Sequence, residues 1–453
     1  MALKVSKWIV SSIKNSNLNG KHLGIGAKKR LSKDISLYQL VTYGVGVMIG
    51  AGIYVLIGKA SGVAGYSVWL SFMLASIIAG LSGLSYAEMS SMFSSSSAEY
   101  EYCENAFKRK WLAKTIGVLK LVTLIIGMSA VSLGFGGYMT RLLGLAPFIW
   151  AFVLLTAVFL LNLFRIKFLS KLNNLIVIVT VLGLFAIIIS SLFHISSINH
   201  FFEFKEGFTP VFSGAALIFF AFLGFEDLVS LGEESKSAKK NMPKALILSL
   251  IIVAIIYMLV SFVSIGVVTP QELYISDSPM SEVAGITMGS FGSFITSIIA
   301  LATTASTVLV MFLSFTRMAY GISKKKVLPK IFQVLNKNSV PIFTALLGYI
   351  ICVLVVLSKD ISSVAGITDF GALSIFATVN LANIVLRYRK PHLKRNFKTP
   401  LNIGKFPLIS AFGLISAVWM ILHLEFIVTI IGMGIVVIIA LFFALSHYFK
   451  NPN

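Results

Sequence analysis

Gly50-Ala51-Gly52, set inside an apolar run, is the tripeptide best suited to hold an anion. Glycine releases the backbone from helical dihedrals and lets a ligand approach closely. A half-helix beginning near Ala51 would aim free N–H groups and a positive dipole end at a carboxylate. The competing use of these residues is packing, because Gly46-x-x-x-Gly50 also fits the small-xxx-small pattern of helix contacts. Glu226 is the second signal. A carboxylate in mid-span costs roughly 2.5–3.5 kcal/mol on insertion scales and marks a functional site by default. We expect Glu226 to be buried and hydrogen-bonded, with Asp227 more peripheral, unless the chain breaks at Gly224 and both acids meet water there. Glu88 is expected near the inner end of its span, facing a cytoplasmic vestibule, and Lys120 to snorkel inward. Thr303, Thr304, Ser306 and Thr307 could line an ion site, but such hydroxyls also bond to helix carbonyls. Of Phe219, Phe220, Phe222 and Phe225, at most one is expected to face the break, the others packing.

The elements that must position these groups follow from composition. The chain has 453 residues, 57% hydrophobic and only 12% charged, against about 25% charged in a soluble domain. Its mean hydropathy is +0.91. Such a chain cannot cover a core with a charged shell, and the expectation is an all-α polytopic membrane protein. Runs long enough for a spanning helix, about 20 apolar residues, number twelve: 37–58, 66–92, 112–140, 148–164, 172–193, 211–232, 246–268, 284–316, 340–357, 365–386, 406–423 and 426–448. The third is expected to begin earlier, through an amphipathic lead-in at 98–110. With the N-terminus inside, 33 of the 38 Lys and Arg fall in cytoplasmic segments, and only Lys59, Arg141, Lys205 and Lys359 fall outside. That bias predicts both termini in the cytoplasm. The net charge of +21 therefore reflects topology, not nucleic-acid binding.

The two halves repeat weakly. GVGVMIGAGIY (Gly44–Tyr54) in the first run and FFAFLGFE (Phe219–Glu226) in the sixth each place glycine and polar opportunity at mid-membrane, in the first member of a group of five. Paired interrupted helices at matching positions point to an inverted-repeat transporter. The division expected is a basic tail at 1–36, one repeat at 37–200, a second at 201–390, and a linker with two further helices at 391–453. Gly52 to Ala60 has the wrong spacing for a phosphate loop. The six histidines show no metal-ligand spacing, no catalytic triad appears, and Cys103 and Cys352 form no disulfide framework. No cleavable signal peptide is expected in the first 36 residues, which are polar and basic. An enzyme is not expected, nor a cofactor or a bound metal.

Five motifs, in order along the chain, resemble the amino acid–polyamine–organocation (APC) superfamily, with its cationic-amino-acid-transporter-like branch the nearest likeness. They are GVGVMIGAGIYVLIG (Gly44–Gly58), YAEMSS (Tyr86–Ser91), AEYEYCENAF (Ala98–Phe107), FFAFLGFEDLVSLGEE (Phe219–Glu234) and RKPHLKRNFKTP (Arg389–Pro400). The resemblance runs from about Ser36 to Tyr448. It implies the leucine-transporter-type fold, a 5+5 inverted repeat plus two C-terminal helices, acting as a secondary permease of the cytoplasmic membrane by alternating access.

By the same resemblance, a substrate carboxylate would meet amides at Ala51 and Gly52, beside Gly50. Its ammonium would meet carbonyls of Met48, Phe220 and Leu223 next to Gly224, under the Phe220 ring. Two departures bear on substrate and ion. The fifth-span lysine of proton-coupled relatives aligns with Thr180, while hydroxyls remain at Ser306 and Thr307. This leaves sodium coupling, proton coupling through Glu226 or Glu88, or uncoupled exchange. The third-span glutamate of cationic-substrate relatives aligns with Thr123, which favours a neutral amino acid. The rival readings are a polyamine or organic-amine carrier, for which the Ala51 and Gly52 amides would be idle, and an amino-acid sensor that does not transport. The sequence sets no oligomeric state.

Overall fold

A computed structural model describes the chain from Ile35 to Lys450, apart from Ala51, Ser94, Ser96, Glu234, Lys337, Ser339 and residues 164–168, 196–200 and 202–206. The basic tail expected at 1–36 lies almost wholly outside the described residues.

Apolar side chains leave these segments no reason to stay unfolded in lipid, and in lipid a helix satisfies its own backbone. The helices are α1 (Leu37–Met48), α2 (Ile57–Ala64), α3 (Val68–Met92), α4 (Ala98–Ala106), α5 (Lys110–Leu143), α6 (Pro147–Asn162), α7 (Leu169–Leu192), α8 (Thr209–Ile218), α9 (Ala238–Val267), α10 (Pro270–Ile275), α11 (Pro279–Lys324), α12 (Ile342–Val356), α13 (Ile361–Arg389), α14 (Leu408–Ile421) and α15 (Phe426–Lys450). A two-residue hairpin, β1 (Asn402–Ile403) with β2 (Phe406–Pro407), is the one sheet among the described residues.

Starts are set by local chemistry. Ser36 and Gln39 form a reciprocal capping box at α1, and Thr269 with Glu272 repeats it at α10. Asp360 accepts the N–H groups of Ser362 and Ser363 at the head of α13.

Among the described residues eight helical stretches are long and apolar enough to cross a membrane, and three shorter apolar helices, α6, α12 and α14, accompany them. The molecule is an all-α, multi-pass membrane protein. Each of the twelve apolar runs falls on one or more of these helices. The centre is α5, whose most apolar window is 89% buried; the corresponding figure for α15 is 17%, which places α15 on the lipid-facing rim. Around α5 pack α6, α11, α12, α13 and α15, while α9 lies against α1 and α3.

Three expectations need correction. Residues 98–110 do not lead continuously into the third span. Helix α4 ends at Ala106 and α5 starts afresh at Lys110, because Phe107 and Arg109 take extended dihedrals. The eighth run is not one helix, since Gly289 inside α11 has φ +71°. Glu88 does not open onto a vestibule. It is fully buried near the end of α3, where Arg387 binds both its oxygens, Arg395 reaches Oε1 at 3.1 Å and the Thr399 N–H reaches Oε2 at 2.8 Å. Arg387 also holds Asn402 of β1 at 2.7 Å. The glutamate of YAEMSS thus ties down the basic segment RKPHLKRNFKTP.

Leaving a buried charge uncompensated costs about 3–5 kcal/mol. Arg387→Ala should lower the unfolding temperature of the detergent-purified protein, although Arg395 and the Thr399 N–H stay on Glu88. Glu88→Gln, which takes the counter-charge from both arginines, should cost more. Equal melting of wild type and Arg387→Ala would show the clamp to be dispensable.

Candidate functional site

The first broken helix is interrupted just past Met48. Ile49 leaves the helix with ψ 93°, and the chain resumes as a π-helical turn, Gly52–Leu56, before α2. Ala51, expected to contribute an amide here, lies outside the described residues. An interruption in lipid frees backbone groups that need partners. The Met48 carbonyl accepts the Tyr257 hydroxyl of α9 at 2.7 Å, and the Tyr54 carbonyl accepts that of Tyr138 on α5 at 2.5 Å. Both tyrosines are fully buried.

The second break follows α8. The chain tightens into a 3₁₀ turn, Phe219–Phe222, extends at Leu223 (ψ 148°), turns at Gly224 and continues as a 3₁₀ helix, Phe225–Glu233. Gly224 has φ +111°, a conformation rarely open to other residues, and an added Cβ would meet Val47 Cγ1 at 2.6 Å. At Gly52 an added Cβ would lie 2.3 Å from the Ala221 Cα. The two breaks therefore touch backbone to backbone.

Burial of Glu226 matches its expected setting. It is 4% exposed, Oε2 accepts the Gly224 N–H at 2.9 Å, and Oε1 accepts the Lys120 ammonium at 2.9 Å. Asp227 is not peripheral. At 6% exposure it too meets Lys120, at 2.9 Å. Lys120 does not snorkel: its ammonium points from α5 into this pair because two carboxylates offer more than distant water.

Beside these groups lies a cavity of about 480 Å³, counting the space at its mouth. It brings together Met48, Gly50, Gly52, Phe220, Leu223 and Gly224 from the breaks with Thr123, Glu226 and Thr307. Apolar walls come from Val47, Leu124, Val131 and Met311. Its lining, mostly apolar with a few convergent polar groups, suits a small-molecule site. Phe220 lines it, whereas Phe219, Phe222 and Phe225 are fully buried in aromatic packing. Thr123 donates to the Leu119 carbonyl at 2.9 Å.

Thr180 and Ser306 lie instead around a second, smaller cavity with Gly46, Ile49, Asn173 and Thr303. The Thr180 and Thr303 hydroxyls are 2.5 Å apart, and Ser306 donates to Asn173 at 2.6 Å. Glu88 lines neither cavity. Among the described residues no cluster of His, Cys, Asp or Glu could hold a metal ion. Two buried groups carry more than the sequence indicates. Lys120 is expected from the sequence only to snorkel. Asp369 of α13, fully buried, was passed over although a carboxylate within a span is a signal in its own right.

Two interrupted helices that meet at a cavity inside a helical membrane protein are the pattern expected of a membrane carrier. The family profile described as "Amino acid permease" matches residues 35–452. The chain belongs to that family, within the APC superfamily, whose members are permeases and not enzymes. It is 30% identical over 427 residues to the "Branched-chain amino acid permease BcaP" of Bacillus subtilis, covering 88% of this chain and 89% of that one. It is 28% identical to the "Methylthioribose transporter" of the same organism, covering 84% and 87%. It is 29% identical to the "Cationic amino acid transporter 2, vacuolar" of Arabidopsis thaliana, covering 80% of this chain and 61% of the relative.

Two predictions follow the geometry. Gly52→Leu should abolish transport without preventing membrane insertion, because the new side chain must displace the Ala221 backbone; normal uptake would refute the assignment. The second concerns Glu99 on α4, outside the spans. Burial is the largest influence on it and pushes its carboxyl from 4.5 up to about 7, opposed by Lys120. A raised folded value favours the protonated form, so this contribution to stability is complete below 4.5 and is lost as pH rises through about 7. Thermal melts across that window should show stability falling with pH, and Glu99→Gln should flatten the slope.

Proposed function

We propose that the chain is a secondary transporter of a neutral amino acid with an apolar side chain, working by alternating access in the cytoplasmic membrane. The observation that carries this reading is the cavity at the two breaks. Its walls include Leu124, Val131 and Met311, and both its carboxylates, Glu226 and Asp227, are already held by Lys120. Among the described residues that line it a cationic side chain finds no unpaired carboxylate, and Thr123 supplies only a hydroxyl. In this reading backbone groups at the breaks serve the part common to all α-amino acids: the Gly52 amide, with that of Ala51 expected beside it, for the carboxylate, and the carbonyls of Met48, Phe220 and Leu223 for the ammonium. Tyr257 occupies one lone pair of the Met48 carbonyl, which has two. The branched-chain specificity in the name of the Bacillus subtilis relative supports the same class.

In this reading the chain crosses the membrane twelve times with both termini cytoplasmic. Residues 37–200 and 201–390 form inverted five-helix repeats, followed by a linker and two helices at 391–453. The Lys and Arg asymmetry supports the orientation. Closure of the broken helices over the zwitterion supplies the differential affinity that any ligand-driven rearrangement requires.

Counterflow in proteoliposomes tests this without any ion gradient. Vesicles preloaded with unlabelled leucine should take up labelled leucine, with valine and isoleucine competing and lysine, arginine and putrescine failing to compete. Putrescine competition in place of amino acids would establish the organic-amine reading. Leucine bound without counterflow would mark a sensor.

A further inference from the structure

Asp369 stands on α13, and it is fully buried. Among the described residues neither carboxyl oxygen meets a hydrogen-bonding side chain or a cation. Every other buried carboxylate on the spans is held: Glu88 by two arginines, Glu226 and Asp227 by Lys120. The residue next to Asp369 is Thr368, which lines the central cavity, and two turns on, Phe376 stacks against Phe219 and Phe225 of the second broken helix. The Phe220 backbone, itself at the cavity, lies beside the Asp369 carboxyl.

No counter-charge is available from the elements packed on α13. Helix α8, the 3₁₀ turn Phe219–Phe222, β2, α14 and the described side chains of α15 up to Ser446 carry no acidic or basic residue. On α3, Tyr86 points to Glu99 of α4, and Glu88 sits in its clamp. On α4, Tyr100 donates to Glu104, while Glu101, Tyr102 and Cys103 stay on that cytoplasmic helix. On α5, Lys120 is taken by Glu226 and Asp227, Tyr138 by Tyr54 and Arg141 by Ser278 and Ser293, while Lys110 and Lys114 lie in the first turns.

We propose that Asp369 is a proton-binding site coupling substrate movement to a proton gradient, with Phe220 as the element that opens and closes it. An ionised carboxylate enclosed without a partner is strongly unfavourable, so this closed arrangement keeps the acid protonated. When the broken helix shifts to expose the substrate to the cytoplasm, the Phe220 backbone withdraws, water reaches the carboxyl and the proton leaves on that side. Proton and substrate then share one moving element, which is what obligatory coupling requires. The inference rests on the transport reading above and assigns its driving ion to the proton. The alternative cation pocket at Thr180 has its hydroxyls engaged with one another and contains no carboxylate.

The test separates carriage from coupling in full-length protein reconstituted in liposomes. Wild type should show leucine counterflow with no gradient and should accumulate leucine when the outside is acidified, equally in choline and in sodium medium. Asp369→Asn, isosteric with the neutral acid, should keep counterflow and lose acid-driven accumulation. Asp369→Glu, which restores an ionisable carboxyl, should retain some accumulation. Acid-driven accumulation by Asp369→Asn would overturn the proposal, as would accumulation that needs sodium. Loss of counterflow in both variants would overturn it too, by making Asp369 structural. Absence of leucine counterflow in wild type would remove the transport reading and this assignment with it.

Discussion

Everything at the centre of this molecule depends on two backbones touching. Gly52 of the first broken helix lies against Ala221 of the second, and Gly224 of the second lies against Val47 of the first. Contact at that distance leaves no room for a side chain at Gly52 or Gly224, which is why glycine sits where the breaks meet. The breaks leave polar backbone in lipid, and the structure answers with tyrosine hydroxyls at Met48 and Tyr54 and with a glutamate at the Gly224 amide. What remains of the exposed backbone lines the cavity.

The intramembrane charges have been given three different environments. Glu88 is saturated by two arginines and an amide, an arrangement that fixes a cytoplasmic linker to α3. Lys120 bridges two acids of the second broken helix from α5, the most enclosed helix. Asp369 is fully enclosed. The first arrangement is rigid because every oxygen is used. The second connects a broken helix to the body that surrounds it, and the third meets no side-chain partner among the described residues.

Much of this could be read in the sequence. Apolar runs located the helices because lipid removes every alternative to the helix, and glycines with mid-span polarity located both breaks. The groups expected at the site, Gly50, Gly52, Phe220, Leu223 and Gly224, line one cavity. The side-chain partnerships could not be read. Glu226 meets a lysine 106 positions earlier and Glu88 an arginine 299 positions later, and one sequence carries no sign of such distant pairs. Lys120 looked free to snorkel because hydropathy does not tell which face of a helix meets an acid. Asp369 was overlooked because Thr368, Asn380 and Asn383 make its whole span polar and dilute the contrast that made Glu226 conspicuous.

The two enclosed groups also suggest why a body packed this closely need not be locked. Moving apolar side chains apart in water forfeits burial at roughly 25 cal/mol per Å². A buried ion pair is different, because its attraction roughly offsets the desolvation of its members. Water entering beside Lys120 therefore replaces what is lost when Glu226 and Asp227 move away, and the separation costs less than an apolar seam of the same area. Asp369 works in the same sense, since hydration stabilises its ion and so favours the open form. In the proposed cycle the ionisable groups at the border of the Gly52 and Gly224 contact are the ones that water can take over.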